Sequence, residues 1–261
     1  MAAPQVRWNA LLEMLSHDGR IEVEAAAAEL GVSTATIRRD LDELAHQQVV
    51  TRTHGGATVS TVTYDLPLRY RAARNAPEKR RIARAAAGLA TAGSVVGLNG
   101  GTTTTALARE LATRAGRARS TGASLTVVTN ALNIAGELVG ARHIKLVVTG
   151  GAARPASYEL VGPLATEVLA EITLDQVFIG VDGIDVAHGA TAHHEAEASI
   201  NQELARRAGR VVVVADSTKL DKRAFARICP VADVQVLVTD SGASPELVEP
   251  FTTAGVRVVR A

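Results

Sequence analysis

One loop of the sequence combines the residue types that hold an anion. Asn99-Gly100-Gly101-Thr102-Thr103-Thr104-Thr105 joins a Val-rich segment to a helical one. A Gly-Gly turn lets backbone N–H groups approach a ligand, threonines add hydroxyl groups, and a helix N-terminus favours negative charge. We therefore predict an anion site with phosphate as the natural ligand, although a strand-to-helix turn capped by threonines is the alternative. The loop is neither a P-loop nor a dinucleotide motif, and it has no lysine.

Polar residues also follow other Val-rich segments. Asn130 ends one of them, Gly150-Gly151 follows another, Asp182-Gly183-Ile184-Asp185 carries two carboxylates, and Lys219 adds an ammonium group. Ligands of open α/β sheets bind where the carboxyl ends of the strands meet, so these groups are expected on one rim. The predicted small-molecule site consists of Asn99, Gly100, Gly101, Thr102, Thr103, Thr104, Asn130, Gly151, Asp182, Gly183 and Lys219.

The elements that must position this rim alternate along the chain. The predicted strands are Val95–Asn99, Leu125–Asn130, Ile144–Thr149, Val177–Val181, Val211–Ala215 and Val234–Thr239. The predicted helices between some of them are Ala106–Arg114, Ala131–Leu138, Pro163–Glu171 and Ala196–Ala208. Continuous apolar strands are typical of sheets buried on both faces. We expect a Rossmann-like α/β domain with a mostly parallel sheet.

A second stretch of chemistry lies near the start of the chain, in GVSTATIRRDLDEL from Gly31 to Leu44. Gly31 suits a sharp turn and Ser33 suits a helix N-cap. The apolar residues Ile37, Leu41 and Leu44 form one helical stripe, which leaves Arg38 and Arg39 on the other side. Arginine can form paired hydrogen bonds with guanine or phosphate, so this face suits a DNA major groove. The alternative is an ordinary solvated helix face.

The flanking segments favour a winged helix-turn-helix. Ile21–Leu30 is predicted to be the supporting helix, and Val49–Ala57 a β-hairpin wing that reverses at Gly55-Gly56. Arg52 and His54 could reach the DNA backbone or the minor groove. The predicted DNA-binding residues are Ser33, Thr34, Ala35, Thr36, Arg38, Arg39, Arg52 and His54.

Length and charge bound the partners. A chain of 261 residues suits two domains, and we predict a DNA-binding domain over 1–59, a linker over 60–76 and an α/β domain over 77–261. Residues 1–60 carry five basic and eight acidic side chains, so attraction to DNA must be local. Residues 69–84 carry seven basic groups against Glu78 alone, which suits either DNA phosphates or a solvated helix.

Other class signals are weak. The single cysteine, Cys229, cannot form an internal disulfide, which suits a reducing cytoplasm. The first residues have an amphipathic helical pattern rather than that of a signal peptide, and no apolar run is long enough to span a bilayer. His188, His193 and His194 lack the companions of a metal site. We expect no metal, no cofactor and no membrane partner.

Both stretches resemble the DeoR family of bacterial transcriptional regulators. The resemblance is carried by TIRRDL at Thr36–Leu41, HGGA at His54–Ala57, GGTTT at Gly100–Thr104, LVGP at Leu160–Pro163, FIGVDGID at Phe178–Asp185, HEAE near Glu195 and ADSTK at Ala215–Lys219. It implies a regulator, most often a repressor of carbohydrate genes. The sensor domain would be similar to ribose-5-phosphate isomerase, bind a sugar phosphate and assemble as a dimer or tetramer on an operator.

The chain departs from the family pattern at two positions, and isomerase activity is the alternative function. The family usually has aspartate where this chain has Asn99, and often lysine where it has Ser199, so the effector could be a non-phosphorylated metabolite. Asp182 and Asp185 are similar to the acidic motif of the isomerases, which would suit proton transfer. The isomerases place a lysine about ten residues later, yet Val186–Ile200 contains neither lysine nor arginine. We therefore expect a sensor and no catalytic residues.

Overall fold

The structure is a computed structural model that describes residues 4–18, 20–46, 49–59, 68–71, 75–117 and 124–261. The chain divides into two compact units, Met1–Arg74 and Asn75–Ala261. Much of the predicted linker, residues 60–67 and 72–74, lies outside the described residues. The domain bounds 1–59 and 77–261 therefore stay predictions.

The described part of the smaller unit contains three longer helices, one short helix and a small antiparallel sheet. Its elements are α1 (Pro4–Asp18), β1 (Arg20–Glu22), α2 (Val23–Leu30), α3 (Thr34–His46), β2 (Val50–Thr53), β3 (Gly56–Val59) and α4 (Leu68–Arg71). The strands pair in the order β1-β3-β2, and β2 and β3 form the predicted wing. The prediction of one helix over Ile21–Leu30 was wrong at its start, because Ile21 and Glu22 pair with β3.

Two glycines fix the geometry of this unit. Gly31 ends α2 with φ 63°, a left-handed conformation that glycine adopts without a Cβ clash. The wing turns at His54-Gly55, so the predicted Gly55-Gly56 turn was displaced by one residue. Gly56 instead lies in β3, where an added Cβ would come within 1.7 Å of the Ile21 carbonyl oxygen. Only glycine lets β3 approach β1 this closely.

The larger unit alternates strands and helices as predicted. Its elements are α5 (Ala76–Ala87), β4 (Val95–Leu98), α6 (Thr102–Arg117), β5 (Leu125–Thr129), α7 (Leu132–Leu138), β6 (Ile144–Val148), β7 (Ala152–Ala153), β8 (Leu160–Val161), α8 (Pro163–Ala170), β9 (Gln176–Gly180), β10 (Gly183–Asp185), β11 (Gly189–Ala192), α9 (Glu195–Arg206), β12 (Val211–Val214), β13 (Ala226–Cys229), β14 (Val236–Thr239), α10 (Pro245–Thr253) and β15 (Arg257–Arg260).

Within the described residues, seven strands form one sheet in the order β15-β14-β12-β9-β4-β5-β6. Every neighbouring pair in this sheet is parallel. The chain moves outward from β4 through β5 to β6, then returns to the other side of β4 with β9. Strand order therefore reverses between β4 and β9, and a crevice for ligands forms at the carboxyl ends of such a strand pair.

The sheet buries both faces. On one face Val96, Leu98 and Phe178 pack with helices α5, α6 and α7. On the other, Val177 and Ile179 pack with α8, α9 and α10. Adjacent strand residues face opposite sides, so Val177, Phe178 and Ile179 divide between the two cores. The predicted mostly parallel α/β architecture is confirmed.

Some features of the larger unit escaped the sequence prediction. The edge strand β15 and helix α10 were not predicted, and neither was a second sheet in which β11 pairs with β10 and β13. Edge strand β15 has the half-buried pattern Arg-Val-Val-Arg, in which only the two valines face apolar neighbours. That pattern is weaker than the all-valine run of β12, which explains why it was missed.

Candidate DNA-binding surface and ligand site

The start of α3 is capped as predicted. The Ser33 hydroxyl accepts a hydrogen bond from the Thr36 backbone N–H at 3.2 Å, and the two side-chain oxygens lie 2.9 Å apart. Thr34 and Ala35 are exposed beside them. Four of the predicted DNA-binding residues therefore lie together in the first turn of α3. Two of these, Ser33 and Thr36, also fix the helix start.

The arginine pair lies on the solvent face of α3. Ile37 and Leu41 are fully buried on the opposite side, which leaves Arg38 and Arg39 exposed. An Arg38 Nη2 atom lies 3.6 Å from Glu24 on α2, but both side chains are more than half exposed and the pair is loose. Among the described residues Arg39 has no ion-pair partner. Its guanidinium is therefore the more available of the two.

The two predicted wing residues also differ in how available they are for DNA. His54 is exposed at the turn between β2 and β3. Arg52 is instead committed inside the unit: its Nε lies 2.8 Å from an Asp42 oxygen, and its Nη1 donates to the Gly56 carbonyl at 2.7 Å. The geometry makes Arg52 a brace between the wing and α3, a role that the sequence prediction did not include.

A buried carboxylate holds α1 against α3. Asp40 is 5% exposed and accepts hydrogen bonds from Arg7 Nε at 2.7 Å, Arg7 Nη2 at 3.0 Å and Trp8 Nε1 at 2.9 Å. The hydrogen bonds and charge of Asp40 raise the pKa of Arg7 despite partial burial. These three side chains join α1 to α3, so they help to fix the angle at which α3 presents its outer face.

In the larger unit, Asn99 and Gly180 join the two strands at the reversal point. Asn99 is 1% exposed, its Nδ2 donates to the Gly180 carbonyl at 2.9 Å, and its Oδ1 accepts from the Gly180 N–H at 2.8 Å. An aspartate could accept the second bond but could not donate the first. Asn99 therefore ties β4 to β9 at the rim and positions the loop that follows.

The threonine loop divides into two parts. The Thr104 and Thr105 hydroxyls both donate to the Gly101 carbonyl, at 3.1 and 2.6 Å, so they stabilise the turn. Thr102 is partly exposed at the start of α6, and Thr103 is buried. The first backbone N–H groups of a helix lack intrahelical partners, which leaves the N-terminal turn of α6 able to bind an anion.

The predicted Gly151 and Gly183 are packing residues. A Cβ on Gly151 would lie 2.8 Å from the Val161 carbonyl oxygen, and its φ is 117°. A Cβ on Gly183 would lie 2.5 Å from the Lys222 carbonyl oxygen. Both glycines allow close backbone approach, so their part at the rim is to shape it.

The two carboxylates of the Asp182–Asp185 motif do not converge. Asp182 Oδ2 accepts from the His193 N–H at 3.0 Å, whereas Asp185 accepts from the His188 N–H at 2.6 Å. They lie at opposite ends of β10, and residues three apart on a strand point to opposite faces. His188 also lies 2.9 Å from Arg223, and the described residues contain no group of three potential metal ligands.

The last segment of the rim, Asp216–Lys219, places a lysine in a turn that an aspartate caps. Asp216 caps the turn Ser217–Lys219 and accepts from Asn75 Nδ2 at 3.2 Å. Lys219 is partly exposed, and among the described residues its ammonium has no ion-pair partner. Asn75 begins α5, so the start of this helix also belongs to the rim, as the sequence prediction did not foresee.

The basic run 69–84 does not form one solvated face. Lys79 is only 8% exposed in the first turn of α5, while Arg80, Arg81 and Arg84 are exposed. Arg81 pairs with Glu78 at 3.3 Å. Arg74 and the Arg69 side chain lie outside the described residues.

Two family models match this chain. A DeoR-like helix-turn-helix domain covers residues 7–63, and a DeoR C-terminal sensor domain covers residues 74–241. The chain belongs to the DeoR family of transcriptional regulators. It is therefore a DNA-binding regulator with an N-terminal helix-turn-helix domain and a C-terminal sensor domain.

Several full-length DeoR-family proteins are similar to this chain. It is 32% identical to a putative aga operon transcriptional repressor of Escherichia coli O157:H7, over 95% of this chain and 91% of that protein. It is 32% identical to the regulator GlpR of Haloferax volcanii, over 98% and 97%. It is 28% identical to the glycerol-3-phosphate regulon repressor of Escherichia coli K12, over 90% of each.

A solved structure resembles part of this DeoR-family chain. Ribose 5-phosphate isomerase A of Methanocaldococcus jannaschii matches 56% of this chain and 54% of its own, with a TM-score of 0.41 and 20% identity. A likeness of this extent says nothing about activity. No described helix of the regulator is long and apolar enough to cross a bilayer.

A second residue of the rim, after Asn75, was missed from sequence. Glu159 precedes β8, is 3% exposed, and packs against Gly100 of the threonine loop. Burial raises its pKa to about 8, helped by the charges of Glu197 and Asp182, while hydrogen bonds from Asn130 and Gly100 lower it. It follows no predicted strand, so the strand-end rule could not find it.

The single cysteine of the chain is not exposed. Cys229 lies in β13 and is buried. Burial raises the pKa of its thiol to about 12, aided by the charge of Asp233. A thiol that stays protonated is a poor nucleophile.

Proposed function

We propose that this DeoR-family protein reads an operator with the outer face of α3 and releases or holds it according to a sugar phosphate bound at the rim of the larger unit. The observation that supports the DNA part is the division of α3. Buried Ile37 and Leu41 fix one side, and the exposed Arg38 and Arg39 occupy the other. Such a helix fits the major groove, where arginine pairs with guanine.

The carbohydrate part of the proposal rests on the rim and on the relatives. The first turn of α6 and the Lys219 ammonium, which has no ion-pair partner in the described part of the chain, offer a dipole and a cation for one phosphate group. Similar proteins are named as an aga operon repressor and a glycerol-3-phosphate regulon repressor. We infer a repressor of carbohydrate genes that acts in the cytoplasm, where its DNA lies.

Control of DNA binding requires two states. An effector shifts an equilibrium only if it binds the two states unequally. We propose a homo-oligomer, a dimer or tetramer, in which the bound effector favours one arrangement of the paired helix-turn-helix domains. That arrangement would match or mismatch the spacing of operator half-sites.

Catalysis is the alternative to effector sensing, and the geometry of the rim argues against it. Proton transfer on a sugar phosphate needs a carboxylate near the reacting carbon together with a group that stabilises the developing oxyanion. Asp182 is held by the His193 N–H, Asp185 faces His188, and no lysine or arginine lies in Val186–Ile200. Incubation with ribose 5-phosphate should give no ketose, and steady turnover would overturn the sensor assignment.

The DNA part is tested by Arg39→Ala. We first select an operator for the wild-type chain from random duplexes, then compare gel shifts. Loss of one paired arginine contact should weaken binding about tenfold to a hundredfold, because such a contact contributes about 1–3 kcal/mol. Arg38→Ala should also weaken it.

Arg257→Ala is the matched control, since Arg257 is equally exposed but lies on β15 of the larger unit. It should bind the selected duplex like wild type. Retention of wild-type affinity by both α3 variants would overturn the docking of α3 in the groove.

The effector part is tested by Lys219→Ala in the same gel shift. A sugar phosphate that changes the wild-type complex should act on this variant only at about tenfold or higher concentration, because a cation contact to phosphate is lost. Thr102→Ala should blunt the response less. Lys145→Ala, an exposed lysine on β6, is the control and should respond like wild type.

A further inference from the structure

The carboxyl group of Glu159 covers the first glycine of the threonine loop. A Cβ added to Gly100 would lie 2.4 Å from Glu159 Cγ and 2.5 Å from Oε1, so the two residues are in direct contact. Gly100 is buried, and Gly101 and Thr102 beside it are partly exposed. The Glu159 side chain therefore covers the start of the threonine loop at Gly100.

Asn130 lies beside this carboxyl group and has one atom without a partner. Its Nδ2 is 3.4 Å from Glu159 Oε2 and 3.4 Å from the Leu160 carbonyl oxygen. The residue is fully buried, yet its Oδ1 has no hydrogen-bond partner among the described residues. A buried acceptor left without a donor is destabilising, so such atoms in native proteins call for a partner.

The charges around Glu159 disfavour a phosphate at Gly100. Glu197, 9% exposed, and Asp182 both act on the carboxyl group. Arg154 Nε lies 2.8 Å from Glu197. A dianion placed against Glu159 would meet the charges of Glu197 and Asp182, whereas hydroxyl groups would find acceptors.

We propose that Glu159 and Asn130 form a hydroxyl-binding subsite of the effector pocket, in which adjacent hydroxyl groups of a sugar or polyol donate to Asn130 Oδ1 and a Glu159 oxygen. The subsite rests on the proposed function, since it reads the sugar part of the same effector. The phosphate, when one is present, lies farther along the loop, at the first turn of α6 and Lys219. Glu159 thereby decides which end of the ligand faces Gly100.

The experiment measures binding of matched ligands to the full chain by titration calorimetry. The probes are ribose 5-phosphate with 2-deoxyribose 5-phosphate, glucose 6-phosphate with 2-deoxyglucose 6-phosphate, the sugars ribose and glucose, and inorganic phosphate. For the best pair, loss of one hydroxyl group should weaken binding to wild type about tenfold, the value of one good hydrogen bond.

The variants are Glu159→Gln, which keeps the shape of the side chain, and Asn130→Ser, which serves if the first does not fold. In either variant the preference for the hydroxylated ligand should fall to about threefold or less, while inorganic phosphate binds as in wild type. Glu167→Gln, an exposed glutamate on α8, is the control and should keep the full preference.

The other outcomes separate the two proposals. If the variants keep the wild-type preference, the subsite is overturned and the sugar-phosphate effector stands. If the unphosphorylated sugar binds as tightly as its phosphate and the variants lose it, the subsite stands and the phosphate part of the proposed function falls. If no probe binds wild type, both are overturned.

Discussion

The two units use polar residues in opposite ways. On α3 of the smaller unit, the predicted contact residues are exposed, and Arg39 has no ion-pair partner among the described residues. At the rim of the larger unit, Asn99 and Glu159 are almost fully buried and are bonded to the protein itself. The proposed surface for DNA thus consists of exposed groups, and the proposed ligand site consists of buried groups whose hydrogen bonds are almost all made within the protein.

The difference follows from the size of the partner. A duplex covers a broad surface and exchanges water for contacts at exposed arginines, at little cost to the folded protein. A small ligand must be enclosed, so its partners are buried before it arrives and must be kept satisfied by one another. Asn130 Oδ1 is the atom of this network that finds no hydrogen-bond partner among the residues that the structure describes.

The first way to break this comparison is to remove a buried polar group from the smaller unit. Asp40→Ala would leave Arg7 without its carboxylate in a site where the Arg7 side chain is 12% exposed. Breaking a buried ion pair costs about 3–5 kcal/mol, so we expect loss of about 3 kcal/mol in the free energy of unfolding. Trp8 is the single tryptophan, so its fluorescence in urea reports this unit.

The control for Asp40 is Glu29→Ala, an exposed carboxylate on α2. It should change the unfolding free energy by less than about 0.5 kcal/mol. An unchanged urea midpoint for Asp40→Ala would mean that the contacts of Asp40 with Arg7 and Trp8 contribute nothing to holding α1 on α3.

The second prediction concerns pH and the larger unit. Glu159 has a pKa near 8 when folded, above its ordinary value of 4.5, mainly because of burial. Between these two values the folded state keeps a proton that the unfolded state has released. The free energy of unfolding should therefore fall as pH rises through this window, by at most about 1.4 kcal/mol per pH unit.

The measurement is urea unfolding followed by circular dichroism at pH 5.5, 6.5 and 7.5. Other groups titrate in this range, so the difference from Glu159→Gln is the quantity to compare. This variant should lose the part of the slope that belongs to Glu159, and Glu167→Gln should keep it. Equal slopes for wild type and Glu159→Gln would show that the carboxyl group does not hold a proton.

Periodicity and strand-end chemistry predicted much of this molecule. The stripe of Ile37, Leu41 and Leu44 is buried, and the Ser33 cap forms. Both depend on neighbours within one helix, which sequence shows directly. All six predicted strands lie in the central sheet, because continuous Val-rich runs have few other places to go.

Contacts between distant segments were not predictable. Glu159 contacts Gly100 only because β8 packs near the threonine loop. Asn75 contacts Asp216, which lies 141 positions later in the chain. Asn99 stood out from sequence as a departure from aspartate, but its pairing with Gly180 required knowing that β4 and β9 are neighbours. No single-segment pattern carries that information.

The smallest expected effect tests whether Arg52 contacts DNA or holds the wing against α3. Its ion pair with Asp42 joins side chains that are 32% and 65% exposed, so solvent screens it and it should contribute about 0.2–1 kcal/mol. If Arg52 is a brace, Arg52→Ala and Asp42→Asn should lower stability by similar small amounts. Each should weaken operator binding less than threefold and leave the salt dependence unchanged.

If Arg52 contacted DNA, one of the two variants would strengthen operator binding instead of weakening it. Asp42→Asn would then free the guanidinium for phosphate and strengthen binding, and Arg52→Ala would reduce the salt slope by about one. Gel shifts of both variants at several salt concentrations separate these results, because only the DNA-contact role lets loss of a carboxylate raise affinity. We expect the brace, since Arg52 also donates to the Gly56 carbonyl and would have to give up both bonds to reach a duplex.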